Sequence, residues 1–243
     1  MSNEVLLVLS KLAIYKNEIL LLLSILIIYG SELVFLKLFG KQGLYCFTAI
    51  ATIAANIEVL ILVNAFGMEM TLGNVLFAST FLVTDIISEV YGKEDARKAV
   101  HIGIATSMIF IVFSQWWLLY TPSENDFAMG AMKTIFSNTP RLMITSMLVY
   151  AIVQEFDVWA YHKWWKFTEK KCGDSKKYLW VRNNGSTLLS QFLNDVLFTF
   201  GAFYGIHKVS TIWQIVLSSY VIFIVTSLAD TPFVYLARKM SRR

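Results

Sequence analysis

The stretch ILLLLSILIIYGSELVFLKLF, residues 19–39, is apolar apart from Glu32, Lys37 and a few small polar residues. About 20 apolar residues in helical form are long enough to cross the hydrocarbon core of a bilayer. Similar runs recur along the chain, so the sequence predicts an all-α, polytopic membrane bundle of about seven helices. Six spans remain an alternative, if one run is re-entrant or interfacial. The seven predicted spans are 19–39, 44–66, 71–91, 100–120, 141–161, 186–206 and 212–237.

Composition agrees with this architecture. Residues of hydrophobic type make up 56% of the 243 residues, and only 16% are charged, against about 25% in an ordinary soluble domain. Residues 1–17 carry only a short apolar stretch and are predicted to be an interfacial or loose segment. Residues 18–243 are predicted to form a single transmembrane transporter domain. The connections 121–140 and 162–185 are predicted to be loops.

Several classes of chemistry are disfavoured. The two cysteines, Cys46 and Cys172, form no CxxC pair, so we expect no disulfide framework, metal site or redox role. No GxxxxGK[ST] motif is present, so the chain is not expected to hydrolyse ATP alone. The three histidines fall near span ends, and no Ser–His–acid arrangement converges. We therefore expect neither an enzyme nor a resident cofactor.

The distribution of basic residues predicts orientation. With seven spans, most of the 21 Lys and Arg residues fall on one side of the membrane. The basic side is usually cytoplasmic. This predicts a multi-pass protein of the cell membrane with its C-terminus and the Lys-rich connection 162–185 in the cytoplasm.

Ionisable residues inside spans are costly and usually face a cavity or a partner. The spans hold eight acids and four amides, too many for a simple anchor, so we expect a polar cavity. Interhelical hydrogen bonds that only hold the bundle together are the alternative. The acids are Glu32, Glu58, Asp85, Glu89, Glu155, Asp157, Asp195 and Asp230, and the amides are Asn56, Gln154, Gln191 and Asn194.

The spacing of these residues places them on helix faces. Asp85 and Glu89 are four residues apart, as are Gln191 and Asp195, so each pair shares a face. Gln154 and Asp157 are three apart. Three helices thus carry polar stripes that could line a central site.

Four further expectations follow from local sequence. Two acids one turn apart repel each other, so Asp85 and Glu89 should share a proton or have a basic partner, with Arg182 and Arg97 the nearest candidates. Glu32 is expected to pair with Lys37. Asn183, Asn184 and Ser186 are expected to cap the start of the sixth span. A short likeness between 81–87 and 192–197 suggests an inverted repeat.

The run FLVTDIISEVYGKEDARKAV, residues 81–100, resembles the signature of the queuosine precursor transporter family, also known as a vitamin uptake transporter family. Four further stretches are similar: ANIEVL (55–60), PRLMITSMLVYAIVQEFDV (140–158), WVRNNGSTLLSQFLNDVLF (180–198) and TPFVYLAR (231–238). Their order and spacing cover nearly the whole chain. Glu58 departs from the basic or neutral residue that the resemblance predicts there.

The resemblance implies import of 7-deazaguanine bases, such as 7-cyano-7-deazaguanine, 7-aminomethyl-7-deazaguanine or queuine. The edge of such a base offers adjacent N–H donors, which a carboxylate accepts. We expect a secondary transporter, and the alternative is a substrate-capture subunit of an ATPase-driven importer. The expected partners are this small molecule and lipid, without nucleic acid; a homo-oligomer is left open.

We assign expected roles to ten polar residues. Asp85 and Glu89 are expected to form an inner gate or coupling site. The base is expected to contact Asp195, Gln191, Asn194, Asn184, Arg182, Asn56, Gln154 and Asp157.

Overall fold

The computed structural model describes residues 15–137, 140–173 and 178–241. These residues form seven helices and two strands in chain order. They are α1 (Lys16–Glu58), β1 (Leu62–Ala65), β2 (Met68–Thr71), α2 (Gly73–Val90), α3 (Lys93–Trp117), α4 (Met129–Phe136), α5 (Pro140–Cys172), α6 (Leu179–Phe203) and α7 (Val209–Ser241). The predicted segment 1–17 lies mostly outside the described residues, and α1 begins at Lys16.

Helix α1 is two arms joined at a sharp bend. Gly40 has φ 59° and ψ −140°, a conformation open essentially to glycine. The rings of Phe35 and Phe47 lie 5.7 Å apart, whereas twelve residues of straight helix would separate them by about 18 Å. The chain therefore turns back on itself, and the arms 16–39 and 41–58 correspond to the first two predicted spans.

A β-hairpin follows the second arm. Phe66 and Gly67 both have positive φ, 54° and 74°, as a two-residue type I′ turn requires. The predicted extension of the second span to Phe66 is wrong, because its helix ends at Glu58. The hairpin is tied to the start of α1: Asn17 donates to the Asn64 carbonyl at 2.9 Å, and Glu18 accepts the Phe66 N–H at 2.9 Å.

Helix α2 lies in the middle of the bundle. All but three of its 18 residues are buried, and it packs against α1, α3, α5 and α7. Helix α5 runs along α6, which also packs on α7. Side chains on α2 are therefore within reach of four other helices, which makes α2 the centre of any internal site.

Four described helices, α1, α2, α3 and α7, are long and apolar enough to cross a membrane. Exposed leucine and isoleucine side chains on α1, such as Leu22, Leu26 and Ile27, suit contact with lipid. Helices α5 and α6 fall short of this apolar threshold because they carry polar residues along buried faces. The fold is thus consistent with the predicted all-α membrane bundle, and the count of seven spans stays a prediction.

Both predicted loops contain helix. Helix α5 continues past the predicted end at Tyr161 to Cys172, and α6 begins at Leu179, so most of 162–185 is helical. Helix α4 lies within 121–140. The N-cap prediction is also wrong: Tyr178, with φ 59°, precedes α6, and Asn183, Asn184 and Ser186 lie inside the helix.

Candidate functional site

A cavity of about 340 Å³ lies between the hairpin and the helices. It is enclosed by the second arm of α1, the first half of α2, the second half of α6, and parts of α3, α5 and α7. A volume of this size falls in the range of small-molecule sites. The lining residues are Thr52, Ala55, Asn56, Val59, Leu62, Met70, Thr71, Gly73, Asn74, Phe77, Thr80, Ser107, Ser146, Met147, Tyr150, Asn194, Asp195, Phe198, Thr199, Phe203, Ile215, Ser219 and Phe223.

The polar groups of the cavity have unused hydrogen-bonding capacity. Among the described residues, Oδ2 of Asp195 and Nδ2 of Asn74 are buried and have no partner. Asn56 donates through Nδ2 to the Thr52 carbonyl at 2.8 Å, which leaves its side-chain oxygen for another group. Asn194 lies beside Asp195 in the same wall. The cavity thus offers acceptors and a donor to a polar molecule.

Aromatic rings form much of the apolar wall. Phe77 contacts Tyr150, with ring centroids 6.4 Å apart, and Phe223, at 6.1 Å. Phe198 and Phe203 line the α6 side and lie 6.4 Å apart. A planar heterocycle can pack on such rings while its edge meets the carboxyl and amide groups.

A buried ion-pair cluster lies at the other end of α6, centred on Glu89 of α2. Arg182 donates to both carboxylate oxygens, at 2.8 and 2.7 Å from Nη2 and 3.1 Å from Nε. Arg238 approaches Oε1 at 3.1 Å, and the Tyr161 hydroxyl donates to Oε2 at 3.0 Å. The guanidinium of Arg182 also stacks over Trp165, 4.3 Å from the ring centroid.

The structure tests the pairing predictions made from the sequence. The prediction that Arg182 neutralises the Asp85–Glu89 pair is confirmed for Glu89. Arg97 does not serve this purpose, because it pairs with Glu155 at 3.0 Å. The predicted pair of Glu32 with Lys37 is wrong: within the part of the chain that the structure describes, both carboxyl oxygens of Glu32 are buried without a partner.

Between the cavity and the ion-pair cluster, polar side chains join the helices. Thr187 donates to Asp85 at 2.9 Å, and Gln154 donates to Thr80 at 2.7 Å. Two further bonds link α6 to α7: Asn183 donates to Asp230 at 2.6 Å, and Asn184 donates to Thr231 at 2.7 Å. The three predicted polar stripes therefore all face the interior of the bundle.

The eight residues expected to contact a ligand occupy different depths. Asn56, Asn194 and Asp195 line the cavity. Gln191 lies one turn from Asp195, fully buried, and neither of its amide atoms has a partner among the described residues. Gln154 stands behind Thr80 in the wall. The remaining three are not among the lining residues: Asn184, Arg182 and Asp157.

Sequence reasoning missed several residues of the site. Asn74, Phe77 and Phe223 line the cavity, and Tyr161 and Arg238 complete the ion-pair cluster. Asn74 could have been selected from the sequence, because it is an amide one residue after the start of α2. The aromatic residues could not be selected, because the sequence holds 18 phenylalanines and 11 tyrosines.

Comparison with known proteins adds two findings. Residues 71–237 match the family described as "Putative vitamin uptake transporter". A protein of Bacillus subtilis (strain 168), named "Probable queuosine precursor transporter", is 38% identical over 207 residues, which cover 85% of this chain and 88% of that protein. No solved structure matches. The family match includes α2, α5, α6 and most of α7, and thus most of the cavity and all of the Glu89 cluster except Arg238.

Proposed function

Because the chain belongs to the vitamin uptake transporter family, we propose that it imports queuosine precursors across the cell membrane as a secondary transporter. The proposed substrates are 7-deazaguanine bases, such as 7-cyano-7-deazaguanine, 7-aminomethyl-7-deazaguanine and queuine. The name of the Bacillus subtilis relative supports this substrate class. Neither match favours a capture subunit for a separate ATPase.

The observation that carries the proposal is the free carboxyl oxygen of Asp195 in an otherwise aromatic and amide-lined cavity. A guanine-like edge presents two adjacent N–H donors and a carbonyl oxygen. The carboxyl of Asp195 accepts the donors, and the unpartnered amide of Asn74 donates to the carbonyl. Phe77 and Phe223 pack on the plane of the base. The unpartnered oxygen of Asp195 and the unpartnered amide of Asn74 then both acquire a partner, which favours binding.

We assign the Glu89 cluster as the inner gate. Arg182 is fully buried in its contact with Glu89, so this end of the bundle is sealed around the ion pair. The distribution of basic residues along the sequence supports an orientation with this end toward the cytoplasm and with the cavity and the hairpin toward the outside. Release of the base into the cell then requires that α2, α6 and α7 separate at Glu89.

The proposal is tested by equilibrium binding of labelled 7-deazaguanine bases to the purified protein. The change Asp195→Asn keeps the shape of the side chain but converts one acceptor oxygen into a donor, so binding should be lost. The matched control is Asp126→Asn, since Asp126 is exposed and accepts the Met129 N–H at 2.8 Å, a bond that asparagine also makes. Wild-type affinity in a folded Asp195→Asn protein would remove Asp195 from the site.

Proteoliposomes that contain only this chain test the transport mechanism. A secondary transporter accumulates the base under an imposed ion gradient without ATP. Uptake that appears only after an ATPase subunit and ATP are added would refute the secondary mechanism while leaving base binding intact.

A further inference from the structure

Four buried carboxyl side chains lie between the cavity and the Glu89 cluster, each from a different helix. They are Glu32 of α1, Asp85 of α2, Asp157 of α5 and Asp230 of α7, named here the carboxyl cluster. All four are at most 1% exposed. Asp85 lies close enough to Asp157 and Asp230 for their charges to interact, as does Glu32 to Asp230.

The hydrogen bonds of the carboxyl cluster do not compensate four negative charges. Asp85 accepts one bond from Thr187, and Asp230 accepts one from Asn183. Over the described residues, both oxygens of Glu32 and of Asp157 lack a partner, as does Oδ1 of Asp85. Ser190 lies beside Asp157, but its hydroxyl already donates to the Ser186 carbonyl at 2.8 Å.

Charged and titratable side chains from several helices surround the carboxyl cluster. Tyr29 of α1 faces Glu32 and Asp230. Glu89 of α2 lies one turn beyond Asp85 and contacts Tyr161 of α5, Arg182 of α6 and Arg238 of α7. His162 stacks on Trp165, the ring under Arg182.

The two arginines cannot balance all the acids. Arg182 and Arg238 both pair with Glu89, so their charges neutralise Glu89 and at most one further carboxylate. Asp85, one turn away, is the nearest. Over the described residues, no other basic side chain is paired with these acids. An ionised carboxylate buried without a countercharge is strongly disfavoured, so we expect the rest of the cluster to be neutral, and carboxyl groups become neutral by holding protons.

We propose that the carboxyl cluster is a proton-binding site that couples import of the base to the proton gradient. This inference rests on the proposed function for its transport step. It also separates the two acids expected to act together: Glu89 closes the gate, whereas Asp85 belongs to the proton site.

A buried, unpartnered amide supports a polar route between this site and the cavity. Gln191 is on the same face of α6 as Thr187, which bonds Asp85, and as Asp195 in the cavity. Neither of its amide atoms has a partner in the described ranges. On α5, Asp157 lies one turn, about 5 Å, beyond Gln154, which bonds the cavity residue Thr80. Protonation of Asp157 therefore takes place about one helical turn from a residue that bonds the wall of the cavity.

The geometry favours protons over a metal cation. Among the described residues, no three His, Cys, Asp or Glu side chains are gathered closely enough to hold a metal ion. A coupling sodium ion would need several oxygen ligands around one point, whereas a proton needs a single carboxyl oxygen. Each carboxyl of the cluster supplies such an oxygen.

The first test is infrared spectroscopy of the purified wild-type protein without substrate near pH 7. Exposed acids are ionised at this pH, so a carbonyl-stretch band of protonated carboxyl groups should report the cluster. The change Asp157→Asn should remove part of this band, and Asp126→Asn should leave it unchanged. Absence of the band in the wild type would overturn the proposal, whatever the substrate is.

The second test is uptake in proteoliposomes under an imposed pH gradient. Asparagine resembles a protonated carboxyl group, so Asp157→Asn should fold and bind the base. Its uptake should fall to the rate seen without a gradient, while Asp126→Asn remains pH-driven. Full proton-driven uptake by Asp157→Asn, or uptake driven by sodium alone, would refute the coupling role. Failure of the wild type to bind any base would contradict the proposed function instead, and the infrared band would still test the proton site.

Discussion

The change Glu89→Gln should destabilise the protein more than any other acid-to-amide change in the bundle. Arg182 has no exposed side-chain surface, so its guanidinium cannot turn to water, and Arg238 is only 13% exposed. Removal of one partner from a buried ion pair costs about 3–5 kcal/mol. For a chain of this size, 1 kcal/mol shifts the melting temperature by roughly 2–4 °C, so we expect a fall of about 10 °C.

Thermal unfolding in detergent, followed by tryptophan fluorescence, measures this shift. Glu94→Gln is the matched control, because Glu94 lies at the solvent-accessible start of α3. Asp157→Asn provides an internal contrast: over the residues that the structure describes, the Asp157 carboxyl group has no cationic partner, so the melting temperature of this variant should change by only a few degrees. The double variant Glu89→Gln/Arg182→Gln should recover part of the loss, since the two residues are directly coupled. An unchanged melting temperature for Glu89→Gln would refute the ion-pair argument.

Two further predictions concern topology and the bend in α1. In a protein without native cysteines, a cysteine at Lys170 should resist an impermeant maleimide applied to intact cells and react after permeabilisation; labelling from outside would reverse the orientation. Gly40→Ala should lower the free energy of unfolding by about 1–2 kcal/mol, because an L-residue is strained at φ 59°. The added methyl group itself has room, since the Tyr91 hydroxyl lies 3.6 Å away. An unchanged melting temperature would show that the bend does not require glycine.

Hydrophobic run length predicted the helices well and their ends poorly. In a membrane, the backbone N–H and C=O groups of a long apolar run must form hydrogen bonds with one another, so the run folds as a helix. The hairpin was missed because its first strand continues the apolar run of the span before it, with Leu62, Val63 and Ala65, so hydropathy shows no boundary at Glu58. The end of α5 was assigned to a loop because it is rich in lysines. A helix that extends beyond the apolar region into water carries lysines as well. Lys163, for example, lies over the Trp159 ring at 4.5 Å.

The polar stripes were predictable because residues three and four apart share a helix face in any α-helix. The assignment of each stripe position to the cavity, the carboxyl cluster or the gate was not predictable from spacing. It depends on the depth at which neighbouring helices cross. Arg182 shows this: the sequence suggested it both as a ligand contact and as a partner of the Asp85–Glu89 pair, and the structure pairs it with Glu89 at 2.7 Å.

Helix α6 connects the three proposed sites in a fixed order. Asp195 and Arg182 are separated by about 20 Å along the helix, with Thr187 bonded to the carboxyl cluster between them. Opening the gate separates Arg182 from Glu89, which exposes charges that are otherwise buried and paired. A rigid α6 cannot move at Arg182 without a shift of Thr187 against Asp85. The protonation state of the carboxyl cluster must therefore affect the cost of gate opening, since an ionised Asp85 holds Thr187 more strongly than a neutral one. This order gives a physical reason why a proton bound midway could control both the cavity and the gate.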